Sequence, residues 1–147
     1  MHAAQLAEEF PVVAMDSDAL DAARLLAEHR LPGILAIGRD GLPEAVLPAY
    51  QVVRFIIPRY VQDDPALAGV LDESMCDKAV KRLRGKKVRD VIPEKYSDVP
   101  AARPDDTIIE VAAIMARHRS PIVAVLEGKK LLGVITASRL LEASLPD

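Results

Sequence analysis

Residues 107–136 read TIIEVAAIMARHRSPIVAVLEGKKLLGVIT, and residues 18–47 read DALDAARLLAEHRLPGILAIGRDGLPEAVL. The second stretch is a diverged copy of the first. Without a gap, the whole segment from Pro11 to Ile57 lies over Pro100 to Pro146. Asp16 falls on Asp105, Ala23 on Ala112, Ala27 on Ala116, His29-Arg30 on His118-Arg119, Pro32 on Pro121 and Leu42 on Leu131. A unit of this size occurring twice is not a solenoid, which needs several stacked units to bury a core. It predicts two copies packed about a pseudo-two-fold axis, with ligand sites in the clefts between them.

Each copy predicts the order strand, helix, strand, strand, helix. In the second copy, 99–103 is a short extended segment interrupted by Pro100, and Pro104-Asp105-Asp106 turns into a helix. Thr107 and Glu110 have capping-box spacing, and Ile108, Val111, Ala112, Met115 and Ala116 follow at helical period. The period then changes. Residues 122–126 form an apolar run of strand length, Glu127-Gly128-Lys129-Lys130 is a hairpin turn, and 131–135 is the partner strand. A last helix is expected over 137–145. In the first copy, Asp16-Ser17-Asp18 is expected to cap a helix with Leu20, Ala23, Leu26 and Ala27 inward. Strands are expected at 34–37 and 44–47. Pro48 suits the first turn of a helix through Val52, Val53 and Ile56. A short helix is expected over 3–9.

The fold class expected is therefore α/β of the α+β type, two pseudo-symmetric βαββα repeats packed through their sheets. The division expected is 1–60 for the first repeat, 61–87 for a helical connector and 88–147 for the second repeat. In the connector, Asp63-Asp64-Pro65 reads as a helix start, Leu67, Val70 and Leu71 as an apolar stripe, and about 75–84 as a second helix. Its basic end, Lys78, Lys81, Arg82, Arg84, Lys86, Lys87 and Arg89, reads as a solvated face at a helix C-terminus, where the dipole favours cations. A docking patch for a phosphate or an acidic partner is the alternative.

Composition narrows the function. Half of the 147 residues are apolar with no long uncharged run, enough for a core and too interrupted to span a membrane. Glu8 and Glu9 stand where a signal peptide would carry bases and an apolar core, and a cytoplasmic location is expected. The net charge of −3 and the lack of Trp argue against nucleic acid as a partner. Cys76 is the only cysteine, which excludes an internal disulfide. His29 and His118 end equivalent helices, where imidazole helps termination, and with terminal His2 they make no metal site. No G-x-x-x-x-G-K-[ST], G-x-G-x-x-G, H-E-x-x-H or G-x-S-x-G motif occurs. The chain is not expected to be an enzyme.

The runs Lys87-Val88-Arg89-Asp90-Val91-Ile92, Arg103-Pro104-Asp105-Asp106-Thr107 and Gly133-Val134-Ile135-Thr136, set in a repeated βαββα unit, resemble the CBS-domain family. Two such repeats in tandem form a Bateman module. The resemblance implies a homodimer, often a flat disc, that binds AMP, ADP, ATP or S-adenosylmethionine between the repeats and requires no cofactor. It also implies regulation of a separate enzyme or transporter rather than catalysis.

In ligand-binding members of that family a Gly-x-x-Thr/Ser-x-x-Asp run gives a hydroxyl to phosphate and a carboxylate to ribose. The second repeat keeps Gly133 and Thr136 but has Arg139 in place of the Asp; the first has Glu44, Leu47 and Tyr50. The candidate ligand residues are Gly133, Thr136 and Arg139, with Asp98, Val99 and Arg103 around the first strand of the same repeat. Thr136 sits at a helix N-terminus, where free amides favour an anion, and Arg139 can neutralise one. Thr136 as a plain N-cap and Arg139 as a solvent or dimer-interface residue stand beside those readings. The competing function is a degenerate pair that binds no nucleotide and acts as a dimerisation or protein-interaction scaffold.

Overall fold

The computed structural model describes residues 1–70, 73–93 and 98–146. In chain order its elements are α1 (Ala3–Leu6), β1 (Val13–Ala14), α2 (Ala19–Glu28), β2 (Gly33–Ile37), β3 (Pro43–Pro48) and α3 (Ala49–Ile56). A connector follows, with α4 (Arg59–Asp63), a 3-10 segment (Pro65–Val70) and α5 (Glu73–Lys81). Then come α6 (Val88–Val91), β4 (Ala101–Ala102), α7 (Ile108–His118), β5 (Ile122–Glu127), β6 (Lys130–Thr136) and α8 (Ala137–Ser144). Leu71, and the side chains of Val70 and Cys76, lie outside what is described.

The architecture is mixed α/β, with two three-stranded sheets ordered β1-β2-β3 and β4-β5-β6. In each sheet the short first strand runs parallel to the second, and the second pairs antiparallel with the third. At the second hairpin Glu127 faces Lys130, and Gly128 takes the positive φ that a two-residue turn requires.

The continuous apolar runs have a simple cause. Successive strand residues point to opposite faces, and here both faces meet a core. Val123 and Val125 of β5 face the helices of their own repeat, with Val111, Ile135 and Leu140. Ile122 and Ala124 face the other way, into a layer shared with Val134 and with Leu35 of the first repeat. That layer joins the two sheets.

The helices correct the inward assignment of Ala27. Ala22 and Leu26 bury in α2 and Val111 in α7, whereas Ala27 and its counterpart Ala116 are exposed. Each alanine lies one residue, about 100° of helix turn, past the buried stripe. In α3, Val52 buries but Val53 is 55% exposed. The capping box of α7 forms as expected, with Glu110 N donating to Thr107 Oγ1 at 3.2 Å and Thr107 N to Glu110 Oε1 at 3.3 Å. Asp18 occupies the N-cap of α2 without a side-chain capping bond. Its neighbours are engaged elsewhere: Ser17 Oγ accepts from Ala14 N, and Asp16 pairs with Arg89. Pro48 is the N-cap of α3 rather than its first residue.

The two shortest helices pack on the opposite repeats. Ala3 and Leu6 of α1 are fully buried in the core of the second repeat, and Ala3 N donates to Asp106 O at 2.8 Å. Reciprocally, Val88 and Val91 of α6 enter the core of the first repeat, where Val88 N donates to Ser17 O at 2.8 Å. This exchange ties each repeat to the chain segment that leads into the other.

Candidate functional site

The two strand-to-helix junctions hold equivalent positions in very different surroundings. At β6–α8, Thr136 is 6% exposed and caps the helix, its Oγ1 accepting from Arg139 N at 3.1 Å. Arg139 is also occupied. Its Nε donates to Leu6 O at 3.4 Å and its guanidinium pairs with Glu142 at 3.2 Å. The chain after α1 runs along this junction as an extra edge pairing, with Glu8 N donating to Val134 O at 2.9 Å and Val134 N to Glu8 O at 2.8 Å. Gly133 permits that approach, since a Cβ there would sit 2.7 Å from Glu8 O. Gly133, Thr136 and Arg139 are thus brought together, and residues 6–8 lie against them.

At β3–α3 the chemistry is reversed. Leu47 is fully buried, so the position of the hydroxyl belongs to the core. Pro48 caps α3 without a side-chain bond, and Ala49 N donates to Pro32 O at 3.0 Å. Tyr50, where Arg139 stands in the other repeat, is 61% exposed. Beyond it lies a cleft of about 180 Å³ between the repeats, lined by Pro48, Tyr50 and Gln51 on one side and by Asp98, Pro100 and 118–121 on the other.

The second-repeat wall of this cleft is polar and fixed. His118 Nδ1 lies 2.9 Å from Ile114 O; because a carbonyl only accepts, the proton of this bond is assigned to Nδ1. Ser120 Oγ donates to Ile122 O at 2.7 Å. Arg119 ends α7 in the left-handed region, at φ 50°, a conformation that costs an ordinary residue about 1–2 kcal/mol. Arg30 repeats the conformation in the first copy. Gln51 Nε2 donates to Val91 O at 2.9 Å, which holds the first-repeat wall to α6.

Of the remaining candidates, Asp98 lines this cleft rather than the Thr136 junction. Val99 is half-buried against the layer between the sheets. Arg103 lies at the far end of its sheet, in a depression with Glu127 and Gly128. The six candidates therefore fall in separate places. The sequence alone does not mark Tyr50, Gln51, Arg119 or Ser120 as ligand residues. The usable signal was the His-Arg pair that both copies carry. Among the described residues no group of three His, Cys, Asp or Glu could hold a metal, and no helix is long and apolar enough to cross a membrane.

The family model for the CBS domain matches residues 88–146, the second repeat with its leading helix. A CBS domain-containing protein of unknown function from Kribbella flavida has a solved structure with 55% identity over 97% of each chain and a TM-score of 0.84. The chain belongs to the CBS-domain family. More distant structures share the fold. The CBS domain of a CBS domain-containing membrane protein from Sphaerobacter thermophilus is 20% identical over 99% of this chain and 88% of its own, with a TM-score of 0.69. CBSX2 in complex with AMP is 18% identical over 97% and 95%, with a TM-score of 0.65. No curated protein matches the chain.

Proposed function

We propose that this chain is a regulatory module that holds a small adenosine-type anion in the cleft between β3–α3 and the 98–100 and 118–121 segments. One observation carries the reading. The cleft sets a cation, Arg119, and a carboxylate, Asp98, from one repeat across from an exposed aromatic ring, Tyr50, from the other. Arg119 would take the phosphate, Tyr50 would stack on the base and Asp98 would accept from ribose hydroxyls. The fold neighbour in complex with AMP lends the ligand class support. Thr136 and Arg139 have lesser roles in this account, because their polar atoms already serve α8 and the end of α1.

The cleft is smaller than the ~300–1,000 Å³ of sites that enclose a drug-sized ligand. A nucleotide would sit partly in solvent or part the two repeats. In the second case ligand binding favours one packing of the repeats over another, and that shift in population is what a separate enzyme or transporter would read. The module would act in the cytoplasm as a homodimer, without a required cofactor and without chemistry of its own.

Thermal-shift titration with AMP, ADP, ATP and S-adenosylmethionine tests this. A ligand at 100 times its Kd stabilises the native state by about 2.7 kcal/mol. Arg119→Ala is expected to lose at least tenfold in affinity while Arg139→Ala keeps it, and a larger loss in Arg139→Ala would move the site to the other junction. A flat response favours the second reading, a scaffold without nucleotide. That reading draws on Ile109 of α7, Leu141 of α8 and Leu145 at the C-cap of α8, which are 77%, 56% and 62% exposed, an apolar surface outside the cores of these helices.

A further inference from the structure

Beside the cleft, sharing Gln51 and Pro93 as walls, lies a second and larger groove of about 510 Å³. It is built by the connector, not by the repeats alone. Arg54 stands in the last turn of α3, Arg59 opens α4 and Arg82 follows α5, and all three line the groove. The arrangement is held from beneath. Gln62 Nε2 donates to Arg54 O at 2.8 Å and to Ile57 O at 2.9 Å, fastening α4 to the end of α3. Val61 and Leu83, at 8% and 3% exposure, anchor the two connector segments. The Arg82 guanidinium carbon lies 5.9 Å from the centre of the Phe55 ring, a cation–π distance that limits where the charge can go.

None of these arginines forms an ion pair among the described residues; the three ion pairs found there belong to Arg24, Arg89 and Arg139. Among the described residues Asp63 is the one carboxylate lining the groove, so their side chains give it a net positive charge in a chain whose total is −3. Like charges that line one groove repel, and a bound anion relieves that repulsion. Guanidinium forks match phosphate oxygens in pairs, and three forks from three elements exceed what one phosphate group can occupy.

We propose that this groove is a polyphosphate-binding site formed by Arg54, Arg59 and Arg82. The polyphosphate is either free or the distal end of a nucleotide whose nucleoside lies in the adjoining cleft. The nucleotide form rests on the reading of that cleft as an adenosine site, and the free form does not.

Calorimetric titration of the full chain with inorganic tripolyphosphate, AMP and ATP separates these cases. The wild type is expected to bind tripolyphosphate, and Arg59→Gln with Arg82→Gln to weaken that binding tenfold or more, since a hydrogen bond to a charged group contributes about 1.5–3 kcal/mol. Both side chains are exposed, so the ligand-free melting temperature should change by no more than the loss of the Arg82–Phe55 contact, about 0.5–1 kcal/mol. Lys78→Gln with Lys81→Gln, on α5 outside the groove lining, should keep the wild-type affinity. An equal loss in both double variants would mean diffuse attraction and overturn the site. If ATP exceeds AMP tenfold and the arginine variant erases only that difference, the nucleotide form holds. If tripolyphosphate binds and AMP does not, the groove stands as a free-anion site and the adenosine reading of the cleft falls. If AMP binds but ATP binds no tighter and tripolyphosphate not at all, the groove proposal falls alone.

Discussion

The β6–α8 and β3–α3 junctions descend from one repeated pattern and have parted in opposite directions. The second retains the glycine and the threonine, yet its threonine caps a helix and its arginine holds the backbone of Leu6. The first has lost both, placing Glu44 and Leu47 at those positions, yet it borders the cleft that opens between the repeats. A hydroxyl at a motif position therefore does not by itself mark a site. A polar group is available to a ligand only if the fold has not already used it, and in a pseudo-symmetric pair each junction is completed by the other copy. Here the second copy brings 98–100 and 118–121 to the first junction, and the first copy brings residues 6–8 to the second.

The contrast can be broken most forcefully at Leu6, which is fully buried in the core of the second repeat. Leu6→Ala is expected to cost about 2–5 kcal/mol by denaturant unfolding, the usual range for a truncated core leucine. Release of α1 in that variant should raise amide exchange at Val134, whose N–H bonds to Glu8 O. Next in size is Gly133→Ala. Its Cβ would meet the Glu8 carbonyl at 2.7 Å, and overpacking against backbone costs about 1–3 kcal/mol. The same unfolding assay should therefore show a clear drop in the midpoint. The smallest effect on stability is expected at Arg119→Gly. Glycine accepts the left-handed conformation that Arg119 holds, so stability should stay level or rise by up to about 1 kcal/mol while ligand affinity falls. A stabilised variant that no longer responds to ligand would separate fold from function in one residue.

Much of the fold was legible because local period and turn chemistry agree. The helix spacing from Ile108, the Thr107–Glu110 box and the glycine of the 127–130 turn each specify their element without help from the rest of the chain. The exchange of α1 and α6 was not legible. It rests on backbone bonds such as Ala3 N to Asp106 O and Val88 N to Ser17 O, and backbone groups leave no pattern in side chains. Register with a distant segment is likewise invisible at Gly133, whose need for a missing Cβ arises from Glu8. The N-cap reading of Thr136 could be made from sequence because capping is local. Arg119 is not legible for a related reason: the end of a helix explains a histidine and an arginine, and only the structure puts Tyr50 and Asp98 around the same cleft.

The most direct test of the claim that the β3–α3 cleft is the binding site is amide chemical-shift mapping during an AMP titration of the isotopically labelled protein. The account predicts the largest shifts at Tyr50, Gln51, Asp98, Arg119 and Ser120, with Thr136 and Arg139 nearly still. Largest shifts at Thr136, Ser138 and Arg139, with the 118–121 amides unmoved, would contradict it.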